Sequence, residues 1–326
     1  MKKILESILI LFLLVCVGIE ILTESGAIMN SVLFSFQIWY KNIFPSLFPF
    51  FVLSELLIHY GFVEFLSELL KGFMYRFFRM NGNASFVFVM SMISGFPSSA
   101  KYIRELHLKG LLDETESTKL LMFTHFSNPL FILGTVSLLF LQNKEVGIFI
   151  LICHYITNFI IGFLFRNWYP CKIKPERVSI KKAILKMHQK RIQNKTSFGS
   201  VVSNALTNSI NTLLLILGTV TMFLILTTIL DHNLSLGSYY QSILNGFVEM
   251  TQGLKYVSML ALPLKYKSIM TVMILSFGGL SVHMQVLSIL SDTKIKYLPF
   301  LTARLLHAAI SGILVTCFFD VWIMFL

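Results

Sequence analysis

The sequence predicts an all-α membrane protein that crosses the bilayer several times and consists of two inverted-topology repeats, each with a glycine-broken re-entrant hairpin. Hydrophobic residues make up 55% of the 326 residues, charged residues 13%, and the mean hydropathy is +0.74. A soluble domain carries about a quarter charged residues, and disorder needs low hydrophobicity with high charge, so both classes are excluded. The 31 Phe residues favour helices that face lipid or one another. A polytopic helical protein in a lipid bilayer remains.

The net charge of +11 lies mainly in one stretch between two apolar blocks. Ten of the 27 Lys and Arg residues, Lys172 among them, fall within residues 166–195, with Glu176 as the single acid. Cationic loops stay on the cytoplasmic side, so residues 167–197 are predicted to be cytoplasmic, with an amphipathic helix at 178–192 that contacts anionic lipid headgroups. No aromatic interleaving or recognised module accompanies the charge, so nucleic acid is not an expected partner.

Signals of metal binding and of catalysis are missing. Cys16, Cys153 and Cys317 lie inside apolar segments, Cys171 lies outside them, and no C-x-x-C spacing occurs. They are interpreted as small buried hydrophobic residues. No P-loop, G-x-G-x-x-G, H-E-x-x-H or G-x-S-x-G motif occurs. We therefore expect no enzyme, no metal site and no cofactor.

The first half of the chain begins with a predicted membrane helix and continues into the first repeat. Residues 1–27 are assigned to a retained helix with a cytoplasmic N-terminus, because no small-residue cleavage site follows the apolar run at 7–22. Residues 28–166 are assigned to the first repeat. Its parts, in order, are an aromatic-rich segment at 32–40, an apolar segment at 44–62, an interfacial helix at 63–79, a hairpin at 84–112 and spans at 118–141 and 146–165.

The predicted hairpin rests on a break in the hydrophobic pattern. Its apolar arm, residues 85–93, is much shorter than the roughly 20 residues that a spanning helix needs. The break is the run Ser94-Gly95-Phe96-Pro97-Ser98-Ser99, and a polar arm with Lys101 follows. This pattern favours a re-entrant hairpin; the alternative is a kinked helix that ends in a loop.

The pattern restarts after the basic loop, and residues 198–326 are assigned to the second repeat. Its parts are a span at 210–230, an amphipathic segment at 239–262, a second predicted hairpin at 269–290, broken at Phe277-Gly278-Gly279-Leu280-Ser281, and a span at 298–319. The two copies begin on opposite sides, which is the plan that places a substrate among broken helices. Lysines at 255, 265, 267, 294 and 296 would then lie outside, against the charge rule.

Polar residues within the predicted spans mark the candidate site, because they face the bundle interior or a water-filled cavity. The first cluster, Thr124-His125-Phe126-Ser127-Asn128-Pro129, is predicted to kink or unwind at Pro129; the alternative is a kink whose polar groups satisfy one another. Ser281, His283 and Gln285 share a face only if the backbone there is unwound.

Further polar groups lie in the second half and in the span at 146–165. Arg304 and His307 share a helical face, although Arg304 has the alternative of reaching the outer headgroups. Glu249 is a candidate cation or proton site, or else an interfacial cap. His154 and Asn158 are interpreted as interhelical packing. The predicted substrate or ion site comprises Ser94, Gly95, Pro97, Ser98, Ser99, His125, Asn128, Glu249, Gly278, Gly279, Ser281, His283, Gln285, Arg304 and His307.

Four segments resemble the nucleoside-recognition (Gate) domain membrane proteins, and among them the YlbJ-type sporulation integral membrane proteins. They are residues 94–101 and 127–136 in the first half, and 249–253 and 277–286 in the second. The resemblance covers about residues 40–320, with Ser99 where Gly is expected and His125 where Asn is expected. It implies an architecture like that of concentrative nucleoside carriers and a role in spore cortex formation.

Two functional hypotheses follow. The first is a cell-membrane carrier that moves or senses a small polar solute such as a nucleoside, or an ion, with the loop and N-terminus in the cytoplasm. The second is a non-transporting scaffold that recruits partners through the basic loop at 167–197. The sequence leaves the oligomeric state open, a homo-oligomer included.

Overall fold

The computed structural model describes residues 2–171, 174–175 and 177–324. Lys172 and Glu176 of the predicted basic loop lie outside the described residues, as do Met1, Ile173 and the last two residues. The described part of the chain is helical and contains no strand. The α-helices are α1 (Lys2–Thr23), α2 (Ser25–Ile38), α3 (Phe44–His59), α4 (Phe62–Phe78), α5 (Ala84–Ser94), α6 (Ser98–Leu108), α7 (Glu114–Phe123), α8 (Lys144–Leu164), α9 (Ile180–Gln193), α10 (Phe198–Asn233), α11 (Ser238–Val248), α12 (Met250–Met259), α13 (Leu264–Phe277), α14 (Gly279–Ile289) and α15 (Tyr297–Met324); wider π-helical turns occupy Trp39–Ile43 and Phe131–Leu141.

Among the described residues, five helical stretches are long and apolar enough to cross a membrane. They are Ser25–His59, Lys144–Leu164, Phe198–Asn233, Leu264–Ile289 and Tyr297–Met324. The predicted span at 210–230 is part of a longer continuous helix, α10, which begins at Phe198. The multi-pass helical architecture predicted from composition is therefore confirmed.

The predicted span at 118–141 is interrupted in its middle. It consists of α7 and the π-helical segment Phe131–Leu141, and residues 124–128 between them are not helical. The unwinding expected at Pro129 is confirmed, because Pro cannot donate to the carbonyl one turn earlier and its ring clashes with it. The interruption leaves two short helices where the hydropathy pattern predicted one long helix.

Helices α5 and α6 pack side by side in opposite directions. Near the break at residues 95–97, Tyr102 donates from its hydroxyl to Ser94 Oγ at 3.1 Å. At the other end, Asn83 Nδ2 donates to the Leu111 carbonyl at 3.0 Å. The two arms therefore lie side by side and the chain reverses between them; that this hairpin enters and leaves the membrane on one side stays a prediction.

The structure corrects the second predicted hairpin, at 269–290. Helices α13 and α14 follow one another nearly end to end, separated by Gly278 at φ +91°. Both run antiparallel to α15: Lys265 pairs with Asp320 near one end, Ser311 Oγ donates to Ser276 Oγ at 2.9 Å in the middle, and Tyr297 contacts His283 nearer the other end. Two consecutive glycines with positive φ, Gly278 and Gly279, change the direction of the helix axis without reversing the chain, so this segment traverses the bundle.

The chain of the second half reverses instead at Glu249, between α11 and α12. The two helices are in close contact, because a Cβ added to Gly253 would overlap the backbone of Gly246. The sequence pattern predicted one amphipathic segment at 239–262, which these two short helices replace.

Three contacts define one end of the bundle, here called the α9 end. Helix α9 packs against α4, and Thr196 just after it lies 2.9 Å from the His59 ring at the end of α3. Arg104 of α6 pairs with Asp292 after α14. Lys294 and Lys296 follow Asp292 closely in the chain. They therefore lie toward the α9 end as well. The opposite end is called the far end.

Helix α9 confirms the amphipathic helix expected at 178–192, and it docks on α4 through Glu68. The buried Glu68 carboxylate accepts from Lys186 Nζ at 2.7 Å and from Lys71. Burial by itself raises the pKa of Glu68, but the hydrogen bonds and charges of the two lysines outweigh it and hold that pKa below its usual value.

Candidate functional site

Four interruptions of helical structure meet in the middle of the bundle. They are the α5–α6 break, the unwound residues 124–128, the α11–α12 break at Glu249, and the start of α14 after Gly278. Together with α3 and α10, they enclose a central cavity of about 50 Å³. A water needs about 10–15 Å³ of such space, so the cavity has room for a few waters or a small ion. The lining residues are Ile43, Ser46, Leu47, Phe96, Pro97, Ser127, Asn128, Phe131, Ile216, Val220, Glu249, Met250, Thr251, Val282 and Gln285.

Asn128 connects three of these elements. Its Nδ2 donates to the carbonyl of Ser94 at 3.0 Å and to that of Ser46 at 3.4 Å. Its Oδ1 accepts from the backbone N–H of Leu130 at 2.7 Å, which caps the start of the next helical segment. The same amide thus fixes the hairpin break, α3 and the helix that follows.

Gly95 allows the close approach between the hairpin break and Asn128. Its φ is +77°, and a Cβ at this position would lie 2.6 Å from Asn128 Cα. Any other residue would therefore be strained in its backbone and would also overlap its neighbour.

Glu249 lies at the α11–α12 break with only 1% of its surface exposed. Its carboxylate accepts from the Gln252 N–H at 2.8 Å, from the Thr251 hydroxyl at 3.2 Å and from the Ser281 hydroxyl at 3.4 Å. It caps α12 through the Gln252 N–H, but it does so inside the bundle, which excludes the alternative of an interfacial cap. Within the described residues, no Lys, Arg or His pairs with it. An ionised buried carboxylate needs compensation, and here the donors come from the helix N-terminus and two hydroxyls.

The His125 ring lies beside the cavity wall rather than in the cavity. It is fully buried and stacks on Phe96 with 4.8 Å between ring centroids. Its Nδ1 lies 3.5 Å from the Ser99 hydroxyl. His125 therefore supports Phe96, which forms part of the wall.

Arg304 is fully buried, which excludes the alternative that it reaches the headgroups. Its guanidinium donates to the carbonyls of Met122 at 2.5 Å and His125 at 3.1 Å, and to Asn158 Oδ1 at 3.2 Å. Those two carbonyls lose helical partners where α7 ends. Arg304 thus supplies hydrogen-bond donors to backbone carbonyls at the start of the unwound segment, on the side away from the cavity.

Three histidines extend this support across α8, α14 and α15. His307 Nδ1 accepts from Arg304 at 2.7 Å, and its Nε2 donates to the His154 carbonyl at 2.9 Å. His154 Nε2 accepts from the Ser127 N–H at 2.9 Å. His283 lies between Tyr297 and the Phe277 carbonyl. The interhelical packing predicted for His154 and Asn158 is therefore confirmed.

The predicted site residues fall into three groups in the structure. Pro97, Asn128, Glu249 and Gln285 line the central cavity. Ser94, Gly95 and Ser281 contact residues that line it. The remaining residues form the breaks or support the wall from behind: Ser98, Ser99, His125, Gly278, Gly279, His283, Arg304 and His307.

Helix α14 decides which predicted residues of the second half meet. Because it is helical, Ser281 and Gln285 share one face and His283 lies on another. Ser46 and Thr251 also belong to the lining and were not predicted. Thr251 follows Glu249 closely enough to have been noticed, whereas no sequence signal marked Ser46.

Comparison with known proteins identifies a relative of most of the chain and a family model that matches part of its first half. The family model described as nucleoside recognition (Gate) matches residues 40–144, the part that contains the first hairpin and Asn128. The chain is similar to the sporulation integral membrane protein YlbJ of Bacillus subtilis (strain 168), with 35% identity over 307 residues that cover 86% of this chain and 74% of the relative. No solved structure matches the chain.

Proposed function

Because the chain belongs to the family of YlbJ-type sporulation integral membrane proteins and carries a nucleoside-recognition (Gate) domain, we propose that it is a membrane carrier of a small polar solute. It acts in spore formation, at the stage when the cortex is made. A nucleoside is the solute that the family description favours, and the central cavity takes an ion or a proton that moves with it. We propose no catalytic role.

One observation carries the proposal: four helix breaks surround a cavity that contains a buried carboxylate and a buried amide. Irregular backbone and ionisable side chains are costly at membrane depth and persist where they line a site or a pathway. Secondary transporters place substrate and ion sites where discontinuous helices meet. Glu249 and Asn128 are the groups that would hold the ion.

In this proposal, the chain contains two inverted repeats, in residues 28–166 and 198–326. The re-entrant hairpins are α5–α6 and α11–α12, which replaces the predicted hairpin at 269–290. Each hairpin is followed by a broken crossing and then by an unbroken one, α8 or α15. Two positions support this arrangement. The ends of α5 and α6 that are away from their break lie at the α9 end. The end of α12 lies at the far end, where its Ser258 carbonyl accepts from Lys267 near the start of α13.

The orientation follows from charge. Basic residues of α9 and the flanking segment place the α9 end in the cytoplasm, and the N-terminus lies on that side as well. The protein is then a multi-pass protein of the cell membrane.

The proposal is tested by complementation of a strain that lacks the gene. Glu249→Gln keeps the shape of the side chain and removes its charge, so we expect heat-resistant spore yield to fall at least tenfold. Glu145→Gln, in the first turn of α8 and remote from the cavity, is the matched control. Normal sporulation by a stably inserted Glu249→Gln protein would overturn the proposal.

A scaffold is the second candidate function, because lysines and arginines on α9 are exposed. Replacing Lys181, Arg191 and Lys195 with Gln would then reduce spore yield more than Glu249→Gln does. The carrier proposal expects the opposite order.

A further inference from the structure

A second and larger cavity lies on the α9 side of the central one. Its volume is about 490 Å³, within the range of about 300–1,000 Å³ typical of small-molecule sites. Glu55 of α3, Lys101 and Arg104 of α6, Asn211 of α10 and Ser288 of α14 line it. We call this cavity the vestibule.

The vestibule and the central cavity lie between the same four elements, α3, the break and first turns of α6, α10 and α14. On α10, Leu215 lines the vestibule and Ile216 the central cavity. On α14, Ser288 lines the vestibule, and Gln285, about one turn earlier, lines the central cavity. The two cavities are therefore stacked along one path that runs from the central cavity toward the α9 end.

Phe51 lies on α3 between Leu47, which lines the central cavity, and Glu55, which lines the vestibule, and Lys101 contacts it from α6. Lys101 lies one turn after Pro97, which lines the central cavity. Its ammonium forms an ion pair with Glu55 at 2.9 Å and lies 4.8 Å from the centre of the Phe51 ring. Phe51 is fully buried. The side chain of Lys101 is thus held across the path by a charge on one side and an aromatic ring on the other.

The mouth of the vestibule is bordered by a second ion pair. Arg104 Nε donates to Asp292 Oδ1 at 2.8 Å, and the guanidinium makes a further bond to the same carboxylate. Both side chains are partly exposed, so the pair lies where the vestibule meets solvent. It connects α6 of the first hairpin to the chain just after α14.

The walls of the vestibule favour a neutral solute that forms hydrogen bonds. Its charges are paired within the protein, as Lys101 with Glu55, Arg104 with Asp292, and Glu105 with Lys109. Asn208, Asn211 and Ser288 add amide and hydroxyl groups that donate and accept. A charged solute would gain little from a wall whose charges are already neutralised.

We propose that the vestibule is the cytoplasmic access site of the carrier for a neutral polar solute, and that the Lys101–Glu55 ion pair closes the path to the central cavity. This inference rests on the carrier function proposed above. It adds a solute site of adequate size, since the central cavity of about 50 Å³ holds only waters or an ion.

The test measures how fast a water-soluble thiol reagent reaches single cysteines in the full-length protein. The background has Cys16, Cys153, Cys171 and Cys317 replaced by Ser. Reporter positions are Ser288→Cys in the vestibule, probed with methanethiosulfonate ethyltrimethylammonium, and Gln285→Cys in the central cavity, probed with the thiol-reactive ion Ag⁺, which is small enough for that cavity. Both are measured in inside-out and right-side-out vesicles. Ser288→Cys is expected to react from the α9 side and at least tenfold more slowly from the other.

The closing role of the ion pair is tested in the same vesicles. Lys101→Ala is expected to raise the labelling rate of Gln285→Cys from the α9 side at least fivefold. Asn211→Trp is expected to cancel that gain, whereas Leu214→Trp, exposed on another face of the same helix, is the matched control and leaves it in place. Thr212→Trp serves as a second plug where Asn211→Trp does not insert stably.

Any one of three outcomes would overturn the inference. The first is that Ser288→Cys reacts only from the far side, and the second is that Lys101→Ala leaves the labelling rate of Gln285→Cys unchanged. The third is that Asn211→Trp and Leu214→Trp have the same effect on that rate. Labelling does not depend on transport. The two proposals can therefore fail separately. If labelling is as expected but Glu249→Gln still supports normal sporulation, the vestibule is supported and the carrier function is overturned.

Discussion

The Asn128 side chain donates a hydrogen bond to the backbone carbonyl of Ser94 at 3.0 Å. This contact joins the unwound part of one crossing to the break of the first hairpin. Both residues are buried, so bulk water does not compete for either group.

Asn128→Asp tests this contact, because it keeps the shape of the side chain and replaces the amide donor with a second acceptor. Two carbonyls, of Ser94 and Ser46, would then face a carboxylate oxygen. An unsatisfied buried group costs about 1–3 kcal/mol, so we expect a lower melting temperature in detergent and loss of complementation. Asn143→Asp, which caps α8 through its side-chain oxygen, is the control and should be tolerated. A fully stable and active Asn128→Asp protein would contradict the assigned role.

Gly95→Ala tests the close approach at the hairpin break. Backbone strain at positive φ costs about 1–3 kcal/mol, and the added Cβ would also overlap Asn128. Gly110→Ala is the matched control, since Gly110 has φ +70° but no atom within 4 Å of an added Cβ. We expect Gly95→Ala to lower the melting temperature clearly more than Gly110→Ala. Equal losses would mean that the contact with Asn128 contributes nothing.

Arg304→Lys tests the support of the unwound segment. A lysine keeps the charge but cannot match the planar guanidinium that reaches Met122, His125 and Asn158 together. A hydrogen bond to a charged group contributes about 1.5–3 kcal/mol, so the loss of these bonds should lower thermal stability and raise hydrogen exchange in residues 120–128. Arg191→Lys on exposed α9 is the control. Unchanged exchange in this segment would show that Arg304 does not hold it.

The docking of α9 on α4 should depend on pH. Because Lys186 and Lys71 hold the pKa of Glu68 below its usual 4.5 in the folded protein, the docking contributes stability above that usual value. The contribution is lost as pH falls through the lowered folded pKa. Hydrogen exchange of α9 should therefore stay slow from pH 7 to about 5 and accelerate at lower pH. Glu68→Gln should give fast exchange at every pH, and a wild-type pH profile in that variant would contradict this account.

Composition and hydropathy were enough to predict the membrane class and most crossings, because lipid selects long apolar helices regardless of packing. Pro129 was enough to predict the unwound segment, since the loss of a backbone donor is a local property. The polar clusters around Asn128, Glu249 and Gln285 were visible for a similar reason, because polar groups inside apolar segments are rare.

The second hairpin was predicted at the wrong place, because a pair of glycines in an apolar segment does not by itself reverse the chain. Gly278 and Gly279, both with positive φ, change the helix direction without reversing the chain. Glu249 ends one helix and caps the next without any glycine at the break itself. The chain reversal depends on how tightly α11 and α12 pack at Gly246 and Gly253, which is a tertiary contact. Arg304 was ambiguous for a comparable reason: only the fold shows that it faces the carbonyls of a neighbouring helix.

The central claim is that two hairpins enter the bundle from opposite sides and meet at the cavity beside Glu249. The most direct measurement is the reaction of an impermeant thiol reagent with Leu108→Cys at the end of α6 and with Met259→Cys at the end of α12, each in the cysteine-free protein. Both positions are exposed. Leu108→Cys is expected to react from the cytoplasmic face and Met259→Cys from the outer face. Reaction of both from the same face would contradict it.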